Sequence, residues 1–141
     1  MKKVVISFLA LVAASCSSTI KQTDNKLLYE VLTQQSDGGA SIRFFEILSE
    51  PDEIAMLEND EKLKDKIHPN DIQTSNFIVL NMGEKATGGY QIGVESVVET
   101  DKNIILTLKE TFPKPSATVS QVVTYPYCIV RINSKKEIII K

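Results

Sequence analysis

Tryptophan is absent from these 141 residues, aromatics make up only 6%, and histidine occurs once, as His68. A core with so few rings must be built mainly from Ile, Val and Leu. A single histidine excludes most zinc sites and most histidine-based triads. His68 precedes Pro69 among polar residues, so it reads as a solvated loop residue. No Gly-x-Ser-x-Gly elbow is present. Cysteine is also scarce: the chain has two, Cys16 and Cys128. The formal charge is −2, and no basic stripe runs along the chain, which gives no reason to expect nucleic acid as a partner. There is no repeat of fixed period. No apolar run reaches the roughly 20 residues a membrane-spanning helix needs.

The longest apolar run lies at the N-terminus. Met1-Lys2-Lys3 is a short basic stretch, and residues 4–14 are apolar apart from Ser7. That pattern reads as a secretory signal. Ala13-Ala14-Ser15 supplies small residues just before Cys16. Small residues leading directly into cysteine resemble the lipobox of bacterial lipoproteins, with Ala13 where that pattern most often has Leu. The resemblance implies cleavage before Cys16 and a thioether link from its sulfur to diacylglycerol. Several acyl chains together anchor a protein stably, whereas one binds only marginally. The alternative is ordinary cleavage and a soluble product. Residues 1–15 are therefore expected to be the signal, residues 16–26 a polar tether and residues 27–141 a single domain. Ser17 follows the cysteine, so the best-known inner-membrane retention signal is missing. The expected location is the cell envelope, with the outer membrane favoured where one exists.

With Cys16 lipidated, Cys128 has no partner in the chain. Its neighbours Tyr127, Ile129 and Val130 make it read as a small buried hydrophobe, with a reactive thiol as the sharper alternative.

In the domain, strands are expected over residues 27–33, 41–48, 77–80, 90–98, 103–112, 120–132 and 137–140. The first two read as a hairpin around the turn-forming Ser36-Asp37-Gly38-Gly39. Ser49, Pro51 and Asp52 announce a helix over residues 50–59, and residues 67–71 read as loop. Pro126 interrupts the sixth strand and must sit at an edge or bulge, having no N–H to donate. The fold class is α+β: a mainly antiparallel sandwich or open barrel of about seven strands with one helix.

Three stretches stand out. Met82-Gly83-Glu84-Lys85-Ala86-Thr87-Gly88-Gly89-Tyr90 joins two adjacent glycines to a threonine and a tyrosine. Phe112-Pro113-Lys114-Pro115-Ser116 is stiffened by two prolines and loses little entropy on binding. Tyr125-Pro126-Tyr127 sets two rings around a strand-breaking proline. Taken singly, each can be turn chemistry or core packing. The glycine turn is no phosphate loop, because it lacks the Gly-Lys-Ser/Thr ending and the strand-to-helix setting.

In this order, from about residue 72 to residue 132, the three resemble the PrcB C-terminal domain family. Ser116 departs from the glycine that often follows the second proline there. The resemblance implies a non-catalytic lipoprotein subunit that supports assembly of a secreted subtilisin-like protease. Its partner would be a protein, with no cofactor and no metal. The expected binding residues are Thr87, Gly88, Gly89, Tyr90, Pro113, Lys114, Pro115, Tyr125, Pro126 and Tyr127. The Thr-Gly-Gly-Tyr turn also resembles the chagasin-like cysteine-protease inhibitors, which present three loops at one end of a β-sandwich. Their Arg-Pro-Trp element has no counterpart here. An envelope structural lipoprotein is a further alternative. A small hydrolase finds no nucleophile and base set in a recognisable pattern.

Overall fold

The computed structural model describes residues 27–141. The expected signal, the expected lipidation site Cys16 and the expected tether lie outside the described residues. The described chain is mostly β, with seven strands in two sheets and two short helices.

The strands are β1 (Tyr29–Gln35), β2 (Arg43–Leu48), β3 (Asn76–Met82), β4 (Gln91–Glu99), β5 (Asn103–Thr111), β6 (Tyr127–Ile132) and β7 (Glu137–Ile140). The first sheet has the order β1-β6-β3-β2 and the second β4-β5-β7, so the strands do not close into a barrel.

The expected hairpin of β1 with β2 does not form. β1 pairs with β6 and β2 with β3, which puts them on opposite edges of one sheet. Burial explains the order. β3 and β6 are apolar and buried on nearly every residue, so they take the two central positions. β1 and β2 expose about half of theirs and can be edges. Nor is the pairing wholly antiparallel: β7 runs parallel to β5, with Ile104 opposite Ile138. The turn at residues 133–136 carries the chain from the first sheet into the second, so β7 cannot fold back on β6.

The two sheets share one apolar core. Ile78, Leu80, Cys128, Val130 and Ile132 of the first sheet meet Ile92, Ile104, Leu106 and Ile138 of the second. Alternation along each strand sends the next residues to the opposite face. On the outer face of the first sheet, Leu32, Leu48, Phe77, Tyr127 and Ile129 pack beneath Ile54, Leu63 and Ile67.

Ile54 belongs to α1 (Pro51–Leu57), which is shorter than the expected helix. Its N-cap is Glu50 rather than Ser49, and Glu53 Oε2 accepts the amides of both, at 3.1 and 3.0 Å. A second helix, α2 (Asp71–Thr74), occupies part of a region that reads as loop in the sequence. Asp71 explains it. Its carboxylate accepts the His68 amide at 2.9 Å and a bond from Arg131 Nη1 at 2.9 Å, tying this turn to β6. No helix of the described residues is long and apolar enough to cross a membrane.

Candidate protein-binding edge

Two long connections meet beyond the ends of β3 and β6: residues 83–90 and residues 112–126. At Gly83 the chain turns with φ +79°, and a Cβ there would lie 3.0 Å from the Arg43 nitrogen, so glycine is required. The Glu84 amide then donates to Ser41 O at 2.9 Å. Lys85 and Thr124 pair as an isolated antiparallel bridge, with bonds of 2.8 and 2.9 Å. The Gly88 amide donates to Ser120 O at 2.8 Å, and Thr124 Oγ1 donates to Thr87 O at 2.9 Å.

Gly89 has φ +91°, and a Cβ on it would come within 2.9 Å of Pro113 Cβ and 3.0 Å of Val119 Cγ1. The first proline of the 113–115 stretch thus lies directly against the glycine pair. Tyr90 and Phe112 stack edge to face, with centroids 6.0 Å apart at 83°, and Lys85 Nζ lies 5.6 Å from the Tyr90 ring centre. The Tyr125 hydroxyl donates to Glu84 Oε2 at 3.0 Å. That bond, and the carboxylate's charge, push the Tyr125 phenol above its ordinary value.

The structure therefore brings the three distinctive stretches to one end of the fold. Gly89, Lys114 and Pro115 are exposed, while Thr87, Gly88, Tyr90, Pro113 and Tyr125 are half-buried. Pro126 and Tyr127 differ from the sequence expectation. Both are buried, and Tyr127 packs into the outer-face core with Leu32 and Phe77. The reason is where the ladder begins, just after Pro126. Tyr127 is the first residue of β6 and faces the helix side, whereas Tyr125 precedes the proline in the loop. The long sixth strand is also shorter than expected. Residues 120–126 are loop apart from the Thr124 bridge, because Pro126 donates nothing to a ladder.

Sequence reasoning missed the edge's apolar exposure. Phe112 is 59% exposed and Val122 62%, where the sequence pattern puts Phe112 at the end of one strand and Val122 inside another. Their signal was proximity to the two prolines and to Pro126, which break the strands that would have buried them. Neither of the two best-defined cavities is lined by His68 or Cys128. Cys128 is fully buried, and burial raises its thiol to about 12. Among the described residues, no group of three or more His, Cys, Asp or Glu is placed to hold a metal ion.

Residues 76–133 match the family model described as PrcB C-terminal. Over this segment the chain is similar to the PrcB C-terminal family. The matched segment begins with β3 and ends just after β6, so the PrcB C-terminal match takes in both connections of the edge and the bridge between Lys85 and Thr124. No curated protein and no solved structure matches the chain.

Proposed function

We propose that this protein is a lipid-anchored, non-enzymatic binding module of the cell envelope. It assists the assembly or stability of a secreted or envelope protease. It meets that partner through the edge formed by residues 83–90 and 112–125. The observation that carries the reading is the joining of the two connections by main-chain hydrogen bonds, which holds together two segments that carry exposed Phe112, Lys114 and Val122. Apolar side chains left in water beside cations fit a protein-binding edge better than a small-molecule cleft. The family match supports a protein partner, since the family takes its name from a protease complex subunit.

A second reading is favoured by one specific observation. The Thr-Gly-Gly-Tyr turn and the proline loop lie at one end of two packed sheets, the arrangement that chagasin-like inhibitors use. Inhibition of a papain-type protease separates it from the first.

The test is affinity capture from native membrane extract, beside a Lys114→Glu, Val122→Asp variant that alters only exposed positions. A protease recovered by the first bait and lost with the second supports the edge. Equal recovery by both, or recovery of no protease, refutes it.

A further inference from the structure

A second surface lies on another side of the molecule, between β2 and α1. Among the described residues β2 is the last strand of its sheet, and no described strand lies on the other side of its main chain. An unpaired strand edge is a template for another extended chain. On the outer face Glu46 of β2 stands opposite Val79 of β3. Together with α1 they leave a largely apolar groove of about 310 Å³, floored by Leu48, Val79, Met56 and Leu57 and rimmed by Glu46 and Asp60. Met56 is 72% exposed, so this floor is covered only in part.

The charged side chains that line the groove, Glu46, Glu53 and Asp60, are all acidic, while Lys135 Nζ donates to the Ser49 carbonyl at its end. Residues 50–61 hold six acidic side chains and no Lys or Arg. Glu53 is occupied by the amides of Ser49 and Glu50. Asp60 accepts the Lys62 amide, but neither Asp60 nor Glu46 joins an ion pair among the described residues. A second copy of the chain is disfavoured as occupant, because antiparallel pairing of two β2 strands would bring two acidic grooves together.

We propose that this groove and the free edge of β2 bind an extended basic segment of a protein partner. One apolar side chain sits beside Leu48 of β2 and faces Met56 and Leu57 of α1. The Lys or Arg residues two positions before and after it share its face, roughly 7 Å away along the strand, and reach Glu46 and Asp60. The intervening side chains lie toward Ile47, which is 37% exposed.

The test uses the full chain, isotope-labelled in mild detergent, and the capped pentapeptide Lys-Thr-Leu-Thr-Lys as probe. Saturable amide shifts confined to β2 and α1 are expected, with no response to Glu-Thr-Leu-Thr-Glu. Glu46→Lys with Asp60→Lys should weaken binding on the order of tenfold or more. Met56→Ser, a neutral change at a largely solvated position, should weaken it by removing apolar contact without disturbing the fold. Absence of saturable shifts, shifts elsewhere, or equal binding of the acidic peptide would overturn the proposal. Concentration-dependent β2 shifts without peptide would overturn it too, by showing that copies of the chain pair there.

Discussion

Asn81 clasps both polar groups of the Ala40 main chain: its Oδ1 accepts the Ala40 amide at 2.9 Å and its Nδ2 donates to the Ala40 carbonyl at 2.9 Å. The same Nδ2 also reaches Ile42 O. Asn81 is 1% exposed, so these bonds have no water to replace them. The neighbouring Gly39 donates to Tyr125 O at 2.9 Å. One buried amide thereby ties the crossing from β1 to β2 to the end of β3, beside the loop edge.

Replacing Asn81 by Leu strands at least the Ala40 amide and two carbonyls, and should cost about 2–4 kcal/mol. Gly39→Ala attacks the same contact from the other side. Its Cβ would lie 2.2 Å from Asn81 Oδ1 and 2.8 Å from Tyr125 O, so about 1–3 kcal/mol or more is expected. The two act on one contact, and the double variant should lose less than their sum. Urea unfolding midpoints measure all three. Additive losses would mean that the clasp is not a unit.

The two glycines of the edge should behave differently. Gly89→Ala places a Cβ 2.9 Å from Pro113 Cβ at φ +91°, which strains the turn and pushes the proline loop away. Gly88→Ala meets Ser120 Cβ at 3.3 Å without positive φ, a contact that a small shift relieves. Gly89→Ala should therefore destabilise by about 1–3 kcal/mol and impair partner capture, with Gly88→Ala milder on both counts. Matching losses would show that the join between the loops does not rest on Gly89.

Much of this arrangement was legible in the residues, and the misses have physical causes. All seven strands follow from apolar periodicity, and β7 begins and ends at the expected residues. Pairing was less legible, because β1 and β2 look like neighbours around a glycine turn. What separates them is the two-faced burial of β3 and β6, a property of the whole sheet. α2 depends on Arg131, sixty residues further on, so no local pattern announces it. At the edge, the glycine and proline motifs marked the right chain segments. Whether Tyr125 or Tyr127 faces solvent was decided by where the β6 ladder begins, just after Pro126.

The bond between Tyr125 and Glu84 gives the edge a pH dependence. The phenol's folded value is raised, because the carboxylate accepts its proton and opposes a second negative charge. The tie is fully present below the ordinary tyrosine range and is lost as pH rises through the raised value. Spectroscopic titration of the phenols should contain a late component from Tyr125. That component should vanish in Tyr125→Phe and move to lower pH in Glu84→Gln. An unchanged late component in Glu84→Gln would assign the shift to another cause.

Cys128 offers a larger excursion with a separate sign check. Burial lifts its thiol from 9.0 to about 12, because the thiolate has no solvation between the sheets. Below pH 9 the thiol is protonated in both folded and unfolded chains, and its stabilising contribution is whole. Between 9 and about 12 the unfolded chain loses the proton while the folded chain keeps it, so stability falls with rising pH. The limiting slope for one proton is about 1.4 kcal/mol per pH unit. Cys128→Ala should cost roughly 1 kcal/mol at neutral pH by removing a packed sulfur, yet lack that alkaline slope. The stability difference between the two proteins should therefore narrow as pH climbs, since tyrosine and lysine titrations are common to both. A thiol reagent at neutral pH should label Cys128 only in denaturant. Rapid labelling of Cys128 in the native chain, with a constant stability difference across the alkaline range, would mean that Cys128 reaches water and that the core between the sheets opens there.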